Sequence, residues 1–222
     1  MGIGTFILDL VAPILEFIAP IVPGDIFPYF FTMELFQRAL LAAILVTIVA
    51  GFLGCFLLIR NLALMGDGLA HVSFGGVAIG VVLGAASPLW YALLFSVIAA
   101  ILIHEMQTRE LLTGDASIAI FLTGMLALGL VILRVYGGGI TTDIEGYLFG
   151  NLLLIDSESL DLIAAISIFS FIALMIMQSL LLASTIDPLG ARVQGLPVNG
   201  VGLMFSVITA AVVVSMVQVV GT

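Results

Sequence analysis

The chain has 222 residues, 63% of them hydrophobic and 9% charged, far below the roughly 25% charged residues of an ordinary soluble domain. Five arginines, no lysine and fourteen acids give a net charge of −9, which argues against a nucleic acid partner because such binding needs a basic surface. Without lysine there is no Gly-x-x-x-x-Gly-Lys phosphate loop, so the chain is not read as an enzyme that hydrolyses ATP.

Residues 1–35 form an N-terminal segment distinct from the rest. It lacks a basic start, carries Asp9 and Glu16 within its apolar stretch, and is punctuated by Pro13, Pro20, Pro23 and Pro28. That pattern is unlike a signal peptide and fits an amphipathic or interfacial helix near residues 4–19 followed by a proline-rich turn. A true first span is the alternative.

Residues 36–222 read as one transmembrane domain. Apolar runs over about 37–59, 69–85, 88–106, 118–136, 160–183 and 198–220 reach the ~20 residues that cross ~30 Å of hydrocarbon, so six crossings are expected. The runs are continuously apolar, whereas barrel strands alternate over roughly ten residues. The fold class is therefore an all-α polytopic bundle, whose helices satisfy their own backbone groups in lipid. Ala86-Ser87-Pro88 is expected to form a hairpin, Gly137-Gly138-Gly139 a break, and residues 141–156 a short re-entrant or surface helix. Arg60, Arg109 and Arg192 fall on one side of this path and Arg38 and Arg134 on the other, which puts the first set in the cytoplasm. The single cysteine, Cys55, forms no intrachain disulfide and is expected to be a small buried hydrophobe. An acidic, lysine-free chain is also what a high-salt organism would select. The end at Val219-Val220-Gly221-Thr222, directly after an apolar run, is the pattern expected of a truncated chain lacking C-terminal spans.

Asp67 and His71 are the first candidates for chemistry. They stand four residues apart in Met65-Gly66-Asp67-Gly68-Leu69-Ala70-His71, so a helix projects both from one face. Ionisable groups in a span are costly, about 2.5 to 3.5 kcal/mol for Asp at a helix centre. Oxygen with nitrogen suits Zn²⁺, Mn²⁺ or Fe²⁺; a satisfied intramembrane hydrogen-bonded pair is the plainer reading. Gly76, Gly80 and Gly84 recur every fourth residue, a spacing that lets another helix pack closely.

Towards the C-terminus, Asp187 is a good N-cap, Pro188 suits the first helical position and Gly195 the residue past the end, so residues 188–194 are expected to form one short helix. Asp143, Glu145, Asp156, Glu158 and Asp161 form an acidic set that reads as a solvated rim. His104-Glu105 resembles the start of a zinc-protease motif, but Thr108 stands where the second histidine belongs. Met175 and Met177 read as packing or lipid-facing residues.

Several motifs in order resemble the membrane permeases of ABC importers for transition metals, the zinc and manganese uptake systems. They are Gly54-Cys55-Phe56-Leu57-Leu58-Ile59-Arg60, Ala63 to His71, Asp115-Ala116-Ser117-Ile118-Ala119-Ile120, Leu148-Phe149-Gly150-Asn151, and Asp187-Pro188 through Ala191 to Gly195-Leu196-Pro197. The resemblance implies a permease of the cell membrane moving zinc or manganese, with iron compatible, around Asp67 and His71. It also implies a homodimer, cytoplasmic ATPases docked on the loop containing Asp187, Pro188, Ala191, Arg192 and Gly195, an extracytoplasmic metal-binding protein, and no permanently bound cofactor. The chain departs from the family at Gly75-Gly76, where many relatives have proline near position 75, and it stops before the family's later spans. The rival reading is an ion-coupled transporter or channel in which Asp67 and His71 relay protons or cations.

Overall fold

The computed structural model describes residues 2–85, 87–136 and 150–221. Its helices are α1 (Ile3–Ile18), α2 (Tyr29–Thr32), α3 (Glu34–Ile59), α4 (Leu64–Val82), α5 (Leu89–Thr108), α6 (Gly114–Tyr136), α7 (Ser157–Ile186), α8 (Pro188–Val193) and α9 (Val198–Val220), with short 3-10 turns at Ala19–Ile21 and Leu152–Leu154. No strand occurs among the described residues. Among the described residues seven helices are long and apolar enough to cross a membrane, the six expected and α1 with its 3-10 extension. The protein is thus an all-helical, multi-pass membrane protein.

Several helices extend beyond their apolar runs, and polar and turn residues close their ends. Asn61, Gly84, Glu110 and Gly195 have φ of 55°, 68°, 55° and 81°, the left-handed conformation that ends a helix by folding the chain back on its last carbonyls. At each, the next amide bonds the carbonyl five residues back: Leu62 to Leu57 (2.8 Å), Ala85 to Gly80 (3.0 Å), Leu111 to Met106 (3.0 Å) and Leu196 to Ala191 (3.0 Å). Several hydroxyls inside the spans bond their own helix, Ser73 to the Ala70 carbonyl (2.6 Å), Thr209 to Phe205 (2.8 Å) and Ser215 to Val212 (2.7 Å), as a donor in hydrocarbon requires; Ser167 Oγ is buried without a partner among the described residues.

The main core joins α3, α4, α5, α7 and α9 through Leu53, Leu69, Ile103, Leu174, Phe205 and Val212. Helix α4 is the most enclosed, packed by α5, α6 and α9, with 67% of its apolar window buried against 22% for α6. Cys55 is exposed on α3, contrary to the expectation of burial. A lipid-facing position is as apolar as the core, so apolar sequence around a cysteine does not distinguish the two. Met177 is buried and Met175 exposed.

The ends opposite Arg60 are tied by the Asn151 amide donating to the Gln218 carbonyl (3.2 Å) and the Gln218 side-chain amide donating to Ser159 Oγ (3.2 Å). Here α1 joins the bundle: the Thr5 amide donates to Asp161 Oδ1 (2.7 Å), and a Cβ on Gly4 would stand 2.5 Å from the Leu160 carbonyl oxygen. The other end of α1 and its 3-10 turn pack on α2, directly before α3 begins. Of the expected helix over 141–156, the described part holds the 3-10 turn Leu152–Leu154 and the Asp156 cap of α7. The Gly137-Gly138-Gly139 break, Asp143, Glu145 and Leu148-Phe149 lie outside the described residues, as does Ala86 of the hairpin.

Candidate functional site

Three neighbours cover α4, and the uncovered strip carries the polar pair. Glycines make the close approach. A Cβ on Gly68 would collide with the Ile118 side chain of α6, one on Gly75 would lie 2.9 Å from the Met125 carbonyl oxygen of α6, and one on Gly76 would lie 2.7 Å from the Tyr91 carbonyl oxygen of α5. Gly80 also faces α5, with its Cβ position 3.1 Å from Pro88 Cα. Gly84 does not continue this ridge: nothing lies within 4 Å of its Cβ position, and its φ of +68° shows that it closes α4 instead. The four-residue spacing runs past the helix end, which makes the third glycine a turn residue and corrects its assignment to packing. Gly68 and Gly75, which that spacing does not include, make the second packing face.

On the remaining strip, His71 Nε2 lies 3.6 Å from Asp67 Oδ1, with the two side chains 21% and 59% exposed. That is too long for a hydrogen bond, so the pair is not self-satisfied. Two ligands about 2.1 Å from one ion at a tetrahedral angle stand about 3.4 Å apart, and at an octahedral edge about 3.0 Å. The observed separation suits one ion between them after a small side-chain adjustment. His71 Nδ1 is buried without a hydrogen-bond partner among the described residues, although a metal-binding imidazole ordinarily fixes its second nitrogen with an outer partner. Among the described residues no group of three or more His, Cys, Asp or Glu is placed to hold a metal. One copy of this chain therefore presents two metal-capable side chains, with no outer partner on His71 Nδ1 among the described residues.

Far from this pair in sequence but at the same end of the bundle, α8 forms over Pro188–Val193, one residue shorter than expected. The Asp187 carboxylate accepts from the Gly190 amide (2.9 Å), and a Cβ on Gly190 would run into that carboxylate. Ala191 is buried, while Ile186, Leu189 and Val193 are 77%, 74% and 89% exposed, so α8 is anchored on one side and apolar on the other. The Arg192 guanidinium donates to Asn199 Oδ1 (3.2 Å) at the start of α9.

Residues 32–222 match the profile of the ABC 3 transport family. The chain belongs to this family. Family members similar to it include the manganese transport system membrane protein MntC of Halalkalibacterium halodurans, 34% identical over 186 residues, covering 83% of this chain and 63% of the relative. The manganese import system permease protein ScaB of Streptococcus gordonii is 32% identical over 186 residues, covering 84% and 66%. The chain thus spans about two thirds of the length of these curated relatives. Among solved structures, PsaBC from Streptococcus pneumoniae in complex with Fab aligns with a TM-score of 0.73 at 32% identity, over 87% of this chain and 69% of that one. An inward-facing metal-chelate type ABC transporter aligns with a TM-score of 0.75 at 16% identity over 98% of this chain and 75% of that one, a likeness of fold. The fold is that of a helical ABC permease.

A second polar cluster escaped the sequence reading. Arg60 served there to orient the chain and to end a family motif, and His104 only to be rejected from a protease motif, yet the fold brings them together beside Gly202 and Ser206. Their wide separation along the chain gave no local signal.

Proposed function

We propose that this chain is the permease part of an ABC importer for a divalent transition metal, with Asp67 and His71 as half of a transit site. The observation that carries the reading is the placement of both ligands on the one uncovered strip of the most enclosed helix, with His71 Nδ1 still lacking a partner. A second copy facing that strip about a twofold axis would bring two carboxylates and two imidazoles to one ion. The Asp67 oxygens supply charge neutralisation, the His71 nitrogen supplies a ligand that protons can displace, and remaining positions fall to water, so the ion is released rather than trapped. Manganese is the favoured cargo, since the similar relatives are named as manganese systems and an open, oxygen-rich, water-completed shell suits Mn²⁺.

Helix α8 is the docking element for a cytoplasmic ATPase. Its cap and closing turn hold it rigid, and Ile186, Leu189 and Val193 offer an apolar patch for another protein. ATP hydrolysis belongs to that separate subunit, and an extracytoplasmic binding protein delivers the ion to the opposite face. The deciding measurement is ATP-dependent uptake of radiolabelled Mn²⁺, Zn²⁺ and Fe²⁺ into vesicles holding the complete permease and its ATPase. Asp67→Ala and His71→Ala should each cut uptake at least tenfold; undiminished uptake in both would sink the site, and a preference for Zn²⁺ would overturn the choice of metal.

We also propose that α1 lies along the outer membrane surface rather than crossing. Both of its ends meet the bundle where α3 and α7 begin, while Ile3, Phe6, Leu10, Ile14 and Phe17 are exposed on one side and Asp9 and Glu16 on another, the division expected at an interface. In a Cys55→Ala background, Ile3→Cys and Asp25→Cys should both react with an impermeant thiol reagent from the same side. Labelling from opposite sides would make α1 a span.

A further inference from the structure

Arg60 stands just past the end of α3 with its Cζ 5.0 Å from the centroid of the Phe205 ring. Its Nη1 is buried and has no hydrogen-bond partner among the described residues. Arg38 and Arg109 pair with Glu34 and Glu105 one helical turn away, whereas no described carboxylate pairs with Arg60. Burial pushes its pKa down from the usual arginine value, which means that the charged form has lost water without gaining a counterion. A desolvated cation with an open donor is costly unless an anion completes it.

Space for such an anion is present. A cavity of about 260 Å³ is bounded by Arg60, His104, Gln107, Thr108, Gly202 and Ser206, several times the ~30 Å³ share of one water. No acidic side chain lines it. The Gln107 amide is already engaged, donating to the Gly114 carbonyl and to Ser117 Oγ (both 3.3 Å). His104 Nε2 lies 3.4 Å from Thr108 Oγ1. A side chain at position 202 would close the space, since a Cβ there would stand 2.7 Å from His104 Cε1 and 3.5 Å from Arg60 Nη2.

We propose that this cavity, between the ends of α3 and α5 and the start of α9, binds a phosphate group on the Arg60 guanidinium, with the Ser206 hydroxyl as a further donor. The planar guanidinium fork matches phosphate oxygens in pairs. A cationic pocket between helix ends at the membrane boundary is where anionic headgroups are held, and free phosphate offers the same oxygens.

The test uses the full chain in nanodiscs of phosphatidylcholine, with and without phosphatidylglycerol, and a parallel titration of inorganic phosphate against chloride at matched ionic strength. Native mass spectrometry reads retained phosphatidylglycerol, and the thermal midpoint reads phosphate. Wild type should retain phosphatidylglycerol or gain a saturable thermal shift with phosphate, and the responding arm identifies the source. Arg60→Gln should abolish that response. Gly202→Ala should weaken apparent affinity at least threefold while leaving the helices folded, because its Cβ displaces only the far edge of the His104 ring. Arg109→Gln, at the same end but outside the cavity, should respond as wild type. No response in either arm would overturn the site, as would equal losses in Arg109→Gln and Arg60→Gln, the mark of general surface charge.

Discussion

Replacing Gly76 by alanine tests whether backbone contact holds α4 against α5. The added Cβ would lie 2.7 Å from the Tyr91 carbonyl oxygen, 2.8 Å from Ala92 Cα and 3.0 Å from the Ala92 nitrogen, where ordinary contact begins at 3.4 Å. All three are backbone atoms, so no side chain can rotate away and the helices must part by about 0.7 Å, the difference between 3.4 and 2.7. A gap of roughly 0.5 to 1 Å forfeits a quarter to a half of the contact energy across an interface, and overpacking of this kind costs about 1 to 3 kcal/mol. Val77, Leu89, Ala92 and Val214 share that interface and are fully buried or nearly so, which leaves little slack. Gly54 on α3 is the matched control: nothing lies within 4 Å of its Cβ position, so alanine there should be neutral or gain about 0.5 to 1 kcal/mol. The two variants should differ by about 1 to 4 kcal/mol, a factor of roughly 5 to 700 in the unfolding equilibrium at ~1.4 kcal/mol per tenfold. Reversible unfolding in mixed dodecyl sulfate micelles, followed by helical circular dichroism, reads the difference. Equal stability of Gly76→Ala and Gly54→Ala would refute the argument from close approach.

Asp187→Ala removes the 2.9 Å cap of α8 and should cost about 1 kcal/mol locally, seen as roughly fivefold faster amide exchange over residues 189–194. Glu110 holds a φ of 55° at the end of α5, a conformation that costs a side-chain-bearing residue about 1 to 2 kcal/mol. Glu110→Gly should raise stability by about 0.5 to 1 kcal/mol, whereas Gly84→Ala, at the same position of α4, should lower it by about 1 kcal/mol; opposite signs in one thermal series check both. The proposed transit site predicts that Mn²⁺ loading falls on acidification, because a proton on the imidazole takes the lone pair that would bind the metal. Loading in His71→Ala should be low and nearly independent of pH, and an unchanged pH profile in that variant would remove His71 from the ligand set.

The spans and the α8 cap were legible because their signals are local. Length of apolar run gives a crossing, and Asp187-Pro188 with Gly195 gives a helix start and stop. Which face of a span is buried was not legible, since lipid is as apolar as a protein core and leaves little helical periodicity to read. Hence Cys55 faces outward against expectation, and Gly68 and Gly75, not Gly84, share the packing of α4 with Gly76 and Gly80. Asp67 and His71 could be paired from spacing alone, but their position on the uncovered strip follows from three neighbouring helices. The cluster around Arg60 depends on the meeting of α3, α5 and α9, which no short window of sequence contains.

The glycine contacts on both sides of α4 also bear on how such a membrane domain can move. Gly76 and Gly80 hold it to α5, and Gly68 and Gly75 hold it to α6, at separations where sliding by even one residue would drive side chains into backbone. Sliding of α4 between α5 and α6 is therefore opposed by contacts on two of its faces. Any rearrangement of the bundle is therefore expected to carry α4, α5 and α6 together, and a crosslink between α4 and α5 should leave it unimpeded.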